Sequence, residues 1–182
     1  MPINRKQLRG TVLAEDARTE RFFRSLLDHL GFDKRKFYFK TAPKGSGDAG
    51  AWVRAQYPSE VNLLRRKAYQ RLCLVAVRDG DNEGVAVKKA DLDAACPRHD
   101  GERIAIPVPT WSIETWLLVL LGDDQIDESK SMKLYFEHLY PGKAERNAIT
   151  SAAEAWLSRG DNAVGCPSLE DGNIEILRLD LS

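Results

Sequence analysis

Apolar positions along this chain recur at two spacings, and the alternation between them suggests an architecture. Four short runs rich in aliphatic or aromatic residues predict strands: residues 8–14 (LRGTVLA), 36–41 (KFYFKT), 72–77 (LCLVAV) and 103–108 (RIAIPV). Between them the spacing turns helical. In residues 19–30, Phe22, Phe23, Leu26, Leu27 and Leu30 fall on one face, and Gly31 supplies a stop. Residues 58–70 open with Pro-Ser-Glu and carry Val61, Leu64 and Ala68 at helical intervals. Residues 85–95 form a weaker helix that Pro97 ends. This βαβαβαβ order predicts an α/β fold: a small, mainly parallel sheet with helices on both faces.

Beyond residue 110 the texture becomes helical. Ser112 is placed to cap IETWLLVLL, whose end Gly122 marks. Further helices are expected over residues 131–139 and 148–157, with an acidic linker at 123–128. The tail, 166–182, has the pattern of a last helix or strand packing back. The organisation expected is a core over 1–121 and a helical C-terminal extension over 122–182 packed on it, as one domain overall.

With 43% apolar and 30% charged residues, the composition is that of an ordinary globular chain. No apolar run approaches the roughly 18–20 residues of a membrane span. The basic start, MPINRKQLRG, has no apolar segment behind it, so no secretory signal is read. Cys73, Cys96 and Cys166 form no CxxC pair, which points to a reduced, cytoplasmic protein without a zinc site. Net charge is zero but segregated. Residues 1–70 hold 15 Lys/Arg against 7 Asp/Glu, and the remainder 12 against 20. That layout could set a basic surface beside an acidic pocket, or simply reflect unevenly charged helix faces. Zero net charge argues against strong unaided, sequence-independent nucleic-acid binding.

Ligands of a parallel α/β sheet bind outside the carboxyl ends of its strands, and there the acids fall. The first strand runs into Glu15-Asp16, and the third into Asp79-Gly80-Asp81. The fourth leads to Glu114, in the first turn of the next helix. Asp79 and Asp81, two apart on an extended strand, would share a face, with Gly80 letting the backbone bend. Carboxylates gathered at one edge repel unless a cation sits among them, and hard oxygen donors suit Mg²⁺ or Mn²⁺. Such a metal, with open water positions, suits phosphoryl chemistry. Asp-Gly-Asp-Asn is also good turn composition. The acids together, in this strand order, favour the site.

Glu after the first strand and Asp-x-Asp after the third, in a small βαβαβαβ sheet, resembles the TOPRIM fold of topoisomerases, primases, recombination mediators and OLD-type nucleases. VLAEDARTERFFRSLL is similar to the first motif of small nuclease-like TOPRIM proteins, with Glu15 at the acid and Thr19-Glu20 following. Asp79 and Asp81 match the Asp-x-Asp pair. IETWLL resembles the acid-plus-Trp helix after the core, with Glu114 its acid. Asp16 stands where a glycine often follows the first Glu. The resemblance covers roughly residues 8–121. It implies a Mg²⁺- or Mn²⁺-dependent nuclease or related phosphodiester enzyme, acting on nucleic acid. It further implies a defence or toxin role beside an ABC-type ATPase, and the zero net charge fits a subunit that needs a partner or homodimer to hold nucleic acid. Glu15 would then be metal ligand or general acid/base near the scissile phosphate. Asp79 and Asp81 would hold the ion, and Glu114 would complete that site or help a second. Arg18 and Arg21, at the start of the first helix, could meet phosphates. Arg18 is preferred as closer to Glu15, and Arg21 reads as a solvated face.

TAPKGSGDAGAW, residues 41–52, is a Gly/Ser loop that is no Walker motif. Lys44 in it is a candidate phosphate contact, with a mobile linker as the alternative. His29, His99 and His138 are scattered, so a triad hydrolase is not supported. Trp116 and Trp156 read as core, and Trp111 as positioning the loop before Glu114. Two other functions stay open. One is a receiver-like phosphotransfer module, although the Glu15 to Asp79 gap is long and no Lys-Pro follows a fifth strand. The other is a non-catalytic interaction subunit that keeps the fold.

Overall fold

A computed structural model describes residues 4–45, 47–159 and 165–181. Ser46 of the Gly/Ser loop and Ser182 of the tail lie outside the described residues. Four parallel strands form the sheet: β1 (Arg9–Ala14), β2 (Phe37–Thr41), β3 (Leu72–Ala76) and β4 (Ile104–Ala105), in the order β2-β1-β3-β4. Val12 of β1 stands opposite Phe39 on one side and Val75 on the other. The central strands are covered on both faces, which is why they read as unbroken apolar runs. Val12, Cys73 and Val75 join one core, with α1 (Ala17–His29), α4 (Ile113–Leu121), α5 (Lys133–Leu139), α6 (Lys143–Arg159) and α7 (Pro167–Leu177). Leu13, Leu74 and Ala76 point the other way, into a core with α2 (Ala49–Arg66) and α3 (Val85–Ala95). Helices therefore lie on both faces of a parallel sheet, as the alternation predicts.

Two boundaries differ from the sequence reading. The helix expected over 58–70 begins nine residues earlier, at Ala49, and ends at Arg66, so that Pro58 lies inside it. Asp48 is its real start, accepting a hydrogen bond from the Ala51 N–H at 2.8 Å. Val53, Tyr57, Val61 and Leu64 continue a single buried stripe across the proline. The strand expected over 103–108 is only two residues long, although Ile106 and Val108 are buried too. Pro107 has no N–H to give to a ladder, and the Ile106 N–H goes instead to the carboxylate of Glu175, at 2.8 Å.

The helices after residue 110 close one face. α6 packs against α1 and α4, bringing Trp156 to 5.8 Å from Trp116, ring centre to ring centre, with both buried. Residues 143–159 thus extend the expected helix at both ends, and the tail forms a helix, not a strand. Gly122 ends α4 in the left-handed region, at φ 85°. Ser112 occupies the cap position, but its hydroxyl makes no cap bond and is buried without a partner. Among the described residues no helix is long and apolar enough to cross a membrane.

Candidate acid site at the carboxyl edge

β1 leaves the sheet at Ala14, so Glu15 emerges at the carboxyl edge with Asp16 beside it. Asp16 serves as the N-cap of α1, its carboxylate accepting the Thr19 N–H at 2.7 Å. An acid at this position, where the resembled family often has glycine, is thus explained by helix capping.

β3 ends at Ala76, and the Val77 N–H still bonds to the Leu13 carbonyl at 2.9 Å. From there Arg78 turns inward and is buried. Its Nε donates to Glu15 Oε1 at 3.0 Å, and Nη1 to Asp91 Oδ2 at 2.9 Å. The Asp79 N–H donates to the same Glu15 Oε1 at 3.1 Å. One oxygen of Glu15 is therefore fixed by two donors. Burial raises the Glu15 pKa, against the lowering effect of Asp79 N–H and Arg78, while the Asp81 charge adds to the rise.

Asp79 is the more extreme group. Its Oδ1 is buried with no hydrogen-bond partner. Burial pushes its pKa well up, and the charges of Glu15, Asp16, Glu114 and Asp81 push it further. Those acids consequently act on one another through the protein. Glu114, in the first turn of α4, is buried; Arg18 donates to its Oε1, and its Oε2 has no partner. The same Arg18 guanidinium reaches Glu137 at 3.2 Å and Glu145 at 3.1 Å. Burial lowers the Arg18 pKa, but hydrogen bonds to Glu145 and Glu114 outweigh that and raise it.

Asp79 and Asp81 do not share a strand face. The strand has ended, and Asp81 sits in the left-handed region at φ 46°, exposed, with Lys88 Nζ at 3.5 Å. The turn is tied to the loop before α4. The Gly80 N–H bonds to the Pro109 carbonyl and the Asp81 N–H to the Trp111 carbonyl, at 2.9 and 3.1 Å. Gly80 has to be glycine, since a Cβ there would lie 2.9 Å from the Pro109 oxygen. Trp111 thus positions this loop through its backbone.

Beside the acids opens a cleft of about 790 Å³, whose wall includes Glu15, Arg18 and Lys44 together with Arg21 and Lys133. Asp79, Asp81 and Glu114 are not part of that wall. Among the described residues, no group of three or more His, Cys, Asp or Glu side chains is arranged to hold a metal ion. Glu15, Asp81 and Glu114 are each engaged by a cationic side chain instead. The donor chemistry nevertheless fits a hard divalent ion: all ligands on offer are carboxylate oxygens, and two of them, Asp79 Oδ1 and Glu114 Oε2, are buried with unused lone pairs.

Sequence reasoning missed Arg78, Asp91, Glu137 and Glu145. An Arg closing an apolar run was the available signal for Arg78, but its direction depends on Gly50, over which the guanidinium lies. Comparison with protein-family models, curated proteins and solved structures returned no match to this chain.

Proposed function

We propose that this chain is a TOPRIM-like, Mg²⁺- or Mn²⁺-dependent phosphodiester-processing enzyme, in its simplest form a nuclease. The observation that carries this reading is the pair of buried, unpartnered oxygens, Asp79 Oδ1 and Glu114 Oε2, among acids at the carboxyl edge of a parallel sheet. A lone pair left without a donor inside a protein is costly. A divalent cation offset by several carboxylates removes that cost and lowers the pKa values that burial has raised.

Asp79, Glu114, Glu15 and Asp81 would hold the ion, the last two after exchanging Arg78 and Lys88 for it. Bound there, it would polarise a phosphoryl oxygen and supply an activated water. Glu15 opens onto the cleft, where it can take or return a proton at the attacked or leaving oxygen, and the Asp79 N–H keeps its carboxylate oriented once Arg78 has given way. Lys44 and Arg21 offer cations to a phosphate in a wall that also holds Asp16, Glu20, Glu137 and Glu145. Arg18, expected to contact phosphate, has three carboxylates as partners and serves first to hold Glu114 in place. A nucleic-acid substrate, an ABC-type ATPase partner, a homodimer and a role in defence belong to the same proposal by resemblance.

The engagement of Glu15, Asp81 and Glu114 by cationic side chains favours a second reading, a non-catalytic interaction subunit. One assay separates the two. Single- and double-stranded DNA and RNA are incubated with the protein in Mg²⁺, Mn²⁺ or EDTA, beside Asp79→Ala. Metal-dependent cleavage that the variant lacks is expected. No cleavage of any substrate, with an ABC-type ATPase also supplied, would leave the interaction subunit.

A further inference from the structure

A second cleft, of about 590 Å³, runs between α1 and α6 on the face away from α2 and α3. Arg21, Arg24, Lys34 and Arg146 line it, with hydroxyls from Ser25 and Thr150. Among the described residues of its wall, Asp28 is the carboxylate set against those four cations. Two of the cations are held in place: Arg24 lies over the Phe39 ring at 3.8 Å and pairs with Glu20, and Lys34 pairs with Asp28 at 2.7 Å. Arg146 is exposed and has no ion-pair partner among the described residues. Arg21 is half exposed and lies 3.6 Å from Glu145, too long for a strong pair. Arg21 lines both clefts, so the basic groove adjoins, at that side chain, the one that Glu15 and Lys44 share.

We infer that the α1–α6 groove is a docking track for the sugar–phosphate backbone of single-stranded nucleic acid, leading it past Arg21 to the acid site. This inference rests on the phosphodiester reading of that site, and it adds the surface and the strandedness of the substrate. A flexible single strand can bend into a cleft of about 590 Å³, whereas a duplex, with a persistence length of about 50 nm, stays straight across it. Apart from the His29 imidazole, the described residues of the two cleft walls offer no aromatic ring for a base to stack on. Contacts therefore go to phosphates, and binding is indifferent to sequence. The charge layout agrees in part: three of the four groove cations, Arg21, Arg24 and Lys34, come from the basic segment 1–70.

The test is a binding titration in EDTA, which keeps it separate from cleavage. Fluorescein-labelled 20-nucleotide oligo(dT), oligo(rU) and a DNA duplex are titrated with the wild type and with the Lys34→Glu/Arg146→Glu double variant. Arg35→Glu/Lys130→Glu makes the same charge change outside the groove and serves as control, and Lys34→Arg/Arg146→Lys keeps the groove charge. Wild type and both controls are expected to prefer single strands. The groove variant should lose about tenfold or more in affinity, and its log–log salt slope should fall by about 1.4, two single-strand phosphate contacts at about 0.7 each. Equal loss in the Arg35/Lys130 control would reduce the effect to net charge and overturn the inference, as would tighter binding of the duplex or no wild-type binding at all. Groove-dependent binding by a protein that cuts nothing would remove the enzyme and leave the track. Cleavage by a protein whose groove variant binds normally would do the reverse.

Discussion

Asp79 is the residue at which burial and charge conflict most. Its folded-state pKa lies above its unfolded value, so its contribution to stability is complete below about pH 3.9 and is lost as the pH rises through the folded value. Asp79→Asn keeps the shape and removes the charge. In urea unfolding with EDTA at pH 7.5 the variant should be more stable than wild type by about 1–3 kcal/mol, with the gap closing toward pH 4. A variant less stable at pH 7.5 would mean that the carboxylate has a partner after all. Gly80→Ala should act oppositely, destabilising by about 1–3 kcal/mol as its methyl forces the Pro109–Trp111 loop away, read in the same titration. At this scale the positions of Glu15, Asp79 and Glu114 were legible, because strand ends can be read from apolar runs. The partners were not: that Arg78 turns in toward Glu15, or that Arg18 meets Glu114, depends on how distant helices pack.

Elements were legible where one apolar period runs to a clear stop, as in α1, or where an apolar run lies between a cap and a glycine, as in α4. α2 shows how that fails. Pro58 at the head of Ser-Glu has the composition of a first helical turn, and the true start lies behind a Gly/Ala-rich stretch in which Val53 and Tyr57 alone carry the period. A proline inside a helix leaves the carbonyl four residues back without its donor. Pro58→Ala should therefore raise the melting temperature, by the equivalent of about 1–3 kcal/mol. A drop would show that the proline ring itself is needed to seat Tyr57 and Val61. The cap of α1 gives a finer check. Asp16→Ala should cost about 1 kcal/mol, whereas Asp16→Gly should cost only a few tenths, both by denaturant unfolding. β4 was overread because its apolar run reports burial, while the ladder is cut short by Pro107 and by the Ile106 N–H, which donates to Glu175 instead.

For the molecule as a whole, Arg18 is the junction: from α1 it reaches Glu114 of α4, Glu137 of α5 and Glu145 of α6. Removing it leaves Glu114 buried and unpaired, so Arg18→Ala should destabilise by about 3–5 kcal/mol, and Arg18→Ala/Glu114→Gln by clearly less. The layered α/β plan was legible from periodicity alone. How α6 would come to lie along α1 was not, since that is settled by Trp116 and Trp156 meeting in the core. The central claim is that the acids at the carboxyl edge bind a divalent cation despite their present ion pairs. Calorimetric titration of Mn²⁺ into wild type and Asp79→Asn tests it most directly. Saturable binding of one or two ions per chain, abolished in Asp79→Asn, is the expected result; no binding, or binding unchanged by the substitution, would contradict it.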